Sequence, residues 1–192
     1  MDTYTWTIDA ESDFGGRTNE TTGITKGLPR IFEAFRKEKV KALFFVSTEL
    51  LEYTPSIVQK ILSEGHEIGS HGHFHTIYKE DFRKEADRKL SLELLATHQS
   101  LSKESIQYRA PKFNFKVSGQ LYSDRNGHVG LLKHMWLKTP ILADPIFYLH
   151  PFDIVGGNNP PNLFCRLWYS KPDKALQLFK NLLQKYPGSQ RL

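Results

Sequence analysis

The strongest limit on the fold is a seven-residue run, KALFFVS (Lys41–Ser47), set between two helix-patterned segments. A run so short and apolar suits a strand buried on both faces, the kind found inside a parallel sheet. Before it, KGLPRIFEAFRKEKV places Leu28, Ile31, Phe32 and Phe35 on one helical stripe. After it, TPSIVQKILSEG offers Thr54 as N-cap, Pro55 in the first turn, Ile57, Val58, Ile61 and Leu62 inside, and Gly65 as the stop. The alternation continues along the chain. Thr3–Asp9 (TYTWTID), His66–His71, Ser105–Pro111 and Ile146–His150 read as strands. Glu80–Leu101 reads as a helix with Phe82, Ala86, Leu90, Leu94 and Leu101 inward, and KPDKALQLFKNLLQKY as another with Ala175, Leu178, Phe179 and Leu182 inward. From Asn114 to Gly130 no period is firm. The βαβα order predicts a mainly parallel sheet, open or closed into a barrel, with ligands at the C-terminal ends of its strands.

Composition narrows the class. A chain of 192 residues, 39% hydrophobic, is long enough for one core, so residues 1–192 are expected to form a single domain. No apolar run approaches the roughly 18 residues needed to cross a bilayer. MDTYTWTIDA lacks a basic stretch followed by an apolar one, so no signal peptide is expected and the cytoplasm is the expected address. The single cysteine, Cys165, excludes an internal disulfide and a CxxC metal site. The net charge of +5 is spread over segments such as RKEKVK and EDFRKEADRK, where bases alternate with acids as on solvated faces. A nucleic-acid partner is therefore not expected.

Chemistry-bearing residues gather at the predicted strand ends. The first strand ends in Asp9, with Glu11 two residues on and thus on the same side if the chain stays extended. The others end near His71, Arg109 and His150. EIGSHGHFHT holds three histidines in five residues, His71, His73 and His75. A continued strand would put all three on one face; a turn or helix would put His71 and His75 together and His73 opposite. Two imidazoles and a carboxylate form a zinc shell that leaves a position for water.

TIDAE (Thr7–Glu11), EIGSHGHFH (Glu67–His75), YRAP (Tyr108–Pro111) and FYLHP (Phe147–Pro151) resemble, in that order, the motifs of the polysaccharide deacetylases with a NodB homology domain. The resemblance spans about Tyr4 to Ile154. It implies an α/β fold, a distorted, incomplete (β/α) barrel of mainly parallel strands. It also implies a metal-dependent hydrolase that removes acetyl groups from N-acetylated sugars, so the expected partner is an N-acetylated carbohydrate. By the same resemblance, His71 and His75 are metal ligands, Asp9 is the general base, Arg109 pairs with that base, and His150 is the general acid. Ala10 stands where most relatives carry a metal-binding aspartate, and Glu11 fits the D-x-E variant, with Asp13 as the fallback. The cofactor is then a divalent cation, zinc by ligand type, which lowers the pKa of bound water toward roughly 7. Asp9 takes a proton from that water, the backbone N–H of Lys112 helps hold the oxyanion, and His150 protonates the departing nitrogen.

Two alternatives stay open. Ala10 motivates a catalytically silent carbohydrate-binding barrel without a full metal shell. A deacetylase or deformylase of a lipid-linked sugar fits the same residues. Only 38 residues separate Pro111 from His150, which predicts missing strands, an open barrel and a shallow groove.

Overall fold

Residues 6–76, 78–99, 106–109, 128–138, 141, 145–157 and 159–187 are described by the computed structural model. Five strands form one sheet: β1 (Trp6–Ala10), β2 (Leu43–Val46), β3 (Glu67–Ser70), β4 (His128–Gly130) and β5 (Ile146–Leu149). Their order is β3-β2-β1-β5-β4 and every pairing is parallel. Tyr108 adds one parallel bridge to Ser70 outside β3. The expected strand at Ser105–Pro111 is thus a single contact among the described residues rather than a ladder. Among the described residues the sheet is open, as in an incomplete (β/α) barrel.

β1 and β2 are buried at every position; for β2 this explains the unbroken apolar run, whereas β1, which alternates in sequence, buries Thr7 and Asp9 as well. Trp6 stacks on Phe147 of β5 with centroids 4.6 Å apart and meets Phe35 and Phe179 edge-on. Those two phenylalanines come from the helices Leu28–Glu38 and Pro172–Lys185, which share one face of the sheet. At roughly 1.5–3 kcal/mol for each fully buried large apolar side chain, this aromatic group is a principal source of stability. His66 lies within 5.1–5.6 Å of the rings of Phe32, Phe35 and Phe44, and burial pushes its imidazole down to about 4.

Three expectations need correction. The helix Asp81–Gln99 does not bury Phe82 or Leu90, which are 71% and 41% exposed; Asp87, Ser91 and Leu95 face inward. Asp87 on its inner side hydrogen-bonds a polar loop while Leu95 enters the core with Leu92 and Ala96 packed against it, so hydrogen bonding and apolar burial together set its orientation. Thr54 does not cap the helix Ile57–Ser63: its N–H closes the preceding turn on Leu50 O, and Ser56 holds the cap position. Between Asn114 and Gly130, His128–Gly130 proves to be an edge strand, three residues being too few for a period to register. Leu163–Trp168 forms a helix that the sequence pattern did not indicate, with Leu163 and Leu167 well exposed.

Candidate metal centre

Parallel strands bring their C-terminal ends to one side, and there the named side chains meet. β1 supplies Thr7 and Asp9 on one face, as alternation requires, and both accept from Arg109 Nη1, at 3.1 and 2.7 Å. Arg109 follows the Tyr108 bridge, its N–H donating to Ser70 O, so the edge of the sheet fixes where its side chain starts. Its guanidinium carbon lies 4.0 Å from the centroid of Phe45, the residue paired with Asp9 across the sheet. Next in that row is Gly69, where an added Cβ would meet the Phe45 ring at 2.8 Å. Glycine there gives the ring room to support the arginine. Burial pushes the Asp9 carboxyl up, but Arg109, with His71 and His150, outweighs that and leaves it below the usual carboxylate value.

Glu11 follows the end of β1 and is almost fully buried. Its Oε2 lies 2.7 Å from His75 Nε2 and 3.4 Å from His71 Nε2, while Oε1 lies 3.4 Å from His150 Nε2. One carboxylate therefore meets three imidazoles. Burial raises the Glu11 carboxyl, and the surrounding histidines more than reverse this, leaving it well below the usual range. His75 moves up: burial opposes its charge, but Glu11 favours it. Although close to both rings, Glu11 Oε2 accepts no aligned hydrogen bond, an unusual state for a buried oxygen. The ligand atoms of Glu11, His71 and His75 all lie within 4.8 Å of one another. A buried carboxylate oxygen facing two imidazole nitrogens suits a divalent cation with at least one position left open.

The histidine segment turns instead of continuing as a strand. β3 ends at Ser70, and Gly72 takes φ +84°, a left-handed conformation that costs glycine little. That turn sends His71 and His75 to the centre and His73 away, where its Nδ1 meets Thr48 Oγ1 at 2.9 Å. His71 Nδ1 lies 2.9 Å from Arg109 O, so this nitrogen carries the proton and Nε2 is left as the ligand atom.

His150 begins the 3-10 turn Pro151–Ile154, and its ring stacks on Phe152. Asp153 Oδ2 accepts from His150 N at 2.8 Å and lies 3.4 Å from Nδ1, closing a reciprocal cap with Asp153 N–H on His150 O. Burial disfavours charge on His150, but Asp153 and Glu11 push it up to about 10.

Asp13, the fallback ligand, lies apart from this group. Its two oxygens accept from the N–H groups of Thr22 and Gly23, and burial pushes it up to about 6. Lys112 lies outside the described residues. Trp136 is half-buried and donates to Trp168 O, with Lys171 Nζ 4.5 Å from its ring. Three partners escaped the sequence pattern: Asp153, Thr48 and Asp87. Asp153 carried a signal, since it stands three residues after His150 as in a capping box; Thr48 and Asp87 carried none.

A family model, "Polysaccharide deacetylase", matches residues 15–117. A peptidoglycan-N-acetylglucosamine deacetylase of Bacillus cereus is 32% identical over 97 residues, covering 50% of this chain and 33% of that protein. This chain thus spans about a third of that relative's length. Among solved structures, a CE4 family pseudoenzyme from Bacillus anthracis superposes with TM-score 0.55 at 12% identity, over 96% of this chain and 63% of that one. A peptidoglycan N-acetylglucosamine deacetylase gives TM-score 0.51 at 15% identity, over 97% and 89%. The structural likenesses speak to the fold. The family match covers more than half of the chain, and the fold agrees with it: this chain belongs to the polysaccharide deacetylase family.

Proposed function

We propose that the chain is a metal-dependent hydrolase that removes N-acetyl groups from amino sugars of a glycan or glycan precursor. The observation that carries this is the buried meeting of Glu11, His71 and His75 beside an ionised Asp9–Arg109 pair and a charged His150. Glu11, His71 and His75 would hold the cation, zinc by donor type. When bound, it supplies Lewis acidity, acidifying water and polarising an amide carbonyl. Asp9, kept ionised by Arg109, accepts the proton of the attacking water at its carboxylate. His150, charged through Asp153, gives its Nε2 proton to the nitrogen as the C–N bond breaks, so acetate leaves and a free amine remains. Lys112 keeps its assignment as oxyanion donor by resemblance alone.

The silent-binder alternative started from Ala10, which is buried in the sheet and cannot ligate. Glu11 supplies the missing carboxylate, and a binder has no use for a base, its arginine and an acid around one point. Metal content and acetate release on short N-acetylglucosamine oligomers test the proposal. Release should require a divalent cation and fall at least about 100-fold in His75→Ala, as expected when a ligand rather than an outer partner is lost. Release that survives both changes would sink it.

A further inference from the structure

The cation site rests on a loop whose backbone is gripped from two sides. Asp87, in the helix Asp81–Gln99 and only 8% exposed, accepts from His73 N–H at Oδ2 and from Phe74 N–H at Oδ1, both at 3.0 Å. These two amides lie between His71 and His75. Opposite, Thr48 N–H donates to Gly72 O at 3.0 Å and Glu49 N–H to His73 O at 3.1 Å. Ser70 Oγ accepts from Gly72 N–H and meets Ser91 Oγ at 2.7 Å, one helical turn beyond Asp87. Every backbone N–H and C=O of Gly72 and His73 therefore has a partner outside the turn's own hydrogen bonding.

We propose that Asp87 is a positioning residue for the cation site: its carboxylate holds the His71–His75 loop in ligating geometry before any cation arrives. A carboxylate accepting two consecutive amides makes charge-assisted bonds, roughly twice as strong as neutral ones. A glutamine-like amide could not accept at both atoms, since one of its two heads is a donor. Without this acceptor, the buried His73 N–H and the half-buried Phe74 N–H lose their partner and the turn can relax, taking His75 away from Glu11. The proposal rests on the cation-binding role given to Glu11, His71 and His75, and it concerns the side chain that orders them rather than one that binds.

The test is calorimetric titration of zinc into metal-stripped wild type, Asp87→Asn and Asp87→Glu, with circular dichroism and thermal midpoints recorded on each. Asp87→Asn should remain folded and bind zinc about 10–100-fold more weakly, the loss typical of outer partners of a ligand, with Asp87→Glu recovering part of it. A folded Asp87→Asn that binds within twofold of wild type would overturn the assignment. If wild type binds no zinc, the metal reading itself fails instead. Amide hydrogen exchange on wild type decides the matter even if Asp87→Asn fails to fold. His73 and Phe74 amides protected in the metal-stripped protein, to the level of β3 amides, support the assignment; rapid exchange there would refute it.

Discussion

Replacing Arg109 by methionine probes the electrostatics of the site, because an unbranched apolar stem remains while the guanidinium, with its charge and donors, is lost. In the intact protein Arg109 Nη1 lies 2.7 Å from Asp9 Oδ1 and 3.1 Å from Thr7 Oγ1. Two unit charges centred about 4 Å apart attract by roughly 4 kcal/mol at an effective dielectric constant of 20. Removing one partner of a buried pair typically costs about 3–5 kcal/mol, since the other charge is left unpaired. That is a large part of the roughly 5–15 kcal/mol that holds a domain of this size folded. The pH dependence distinguishes charge from packing. Asp9 is held below its unfolded value, so its pair contributes stability above about pH 4 that is lost as pH falls through the lowered pKa. In Arg109→Met, burial acts unopposed by the guanidinium and raises Asp9 above its unfolded value. The deficit relative to wild type should therefore be greatest at pH 7 and shrink toward pH 4, where Asp9 takes up its proton. Urea titration at pH 7, 5.5 and 4 measures this. A deficit below about 1 kcal/mol at pH 7, or one that stays constant with pH, would refute the electrostatic account and leave only packing against Phe45.

Two further outcomes follow from the same physics. Asp153→Asn should lower the pKa of His150, so the acid is lost sooner as pH rises; the alkaline limb of the pH–rate profile should move down by about 1–2 units, and an unmoved limb would disconnect Asp153 from catalysis. His66→Phe should flatten stability against pH between about 6.5 and 4. Over that range the unfolded chain binds a proton that the buried imidazole refuses, so wild type loses stability as pH falls from the unfolded value toward the folded one, and a slope unchanged by the substitution would place the titrating group elsewhere.

How far the site was legible depended on the range of the interactions. Asp9 and Glu11 could be placed together because strand alternation is a local rule, and β1 obeys it through Thr7 and Asp9. Sequence spacing alone left His73 undecided between ligand and bystander. Its fate depended on Gly72 adopting a positive φ and on Thr48, 25 residues earlier, receiving its ring. The helix Asp81–Gln99 was found but rotated wrongly, because Phe82, Leu90 and Leu94 outvote Asp87 on any hydrophobicity scale. What turned it was Asp87 meeting two amides of the preceding loop together with Leu95 entering the core, and hydrophobic spacing along the helix does not announce the amides. β4 was too short to show a period, and it gains its place only by pairing with β5.

β1 lies in the middle of the sheet, flanked by β2 and β5, and carries Asp9, with Glu11 on the residue just after its end. Asp9 and Glu11, the proton acceptor and cation holder of the proposed function, are thus bolted to the same innermost beam, and neither can drift while the other stays. Slippage of that beam by one residue would put Ile8 and Ala10 in their places in one direction and Ala10 and Ser12 in the other, and a register error this costly would also break two ladders. If the proposed function holds, loss of activity in such a scaffold comes most directly by replacing single side chains, leaving an intact sheet with a mute centre.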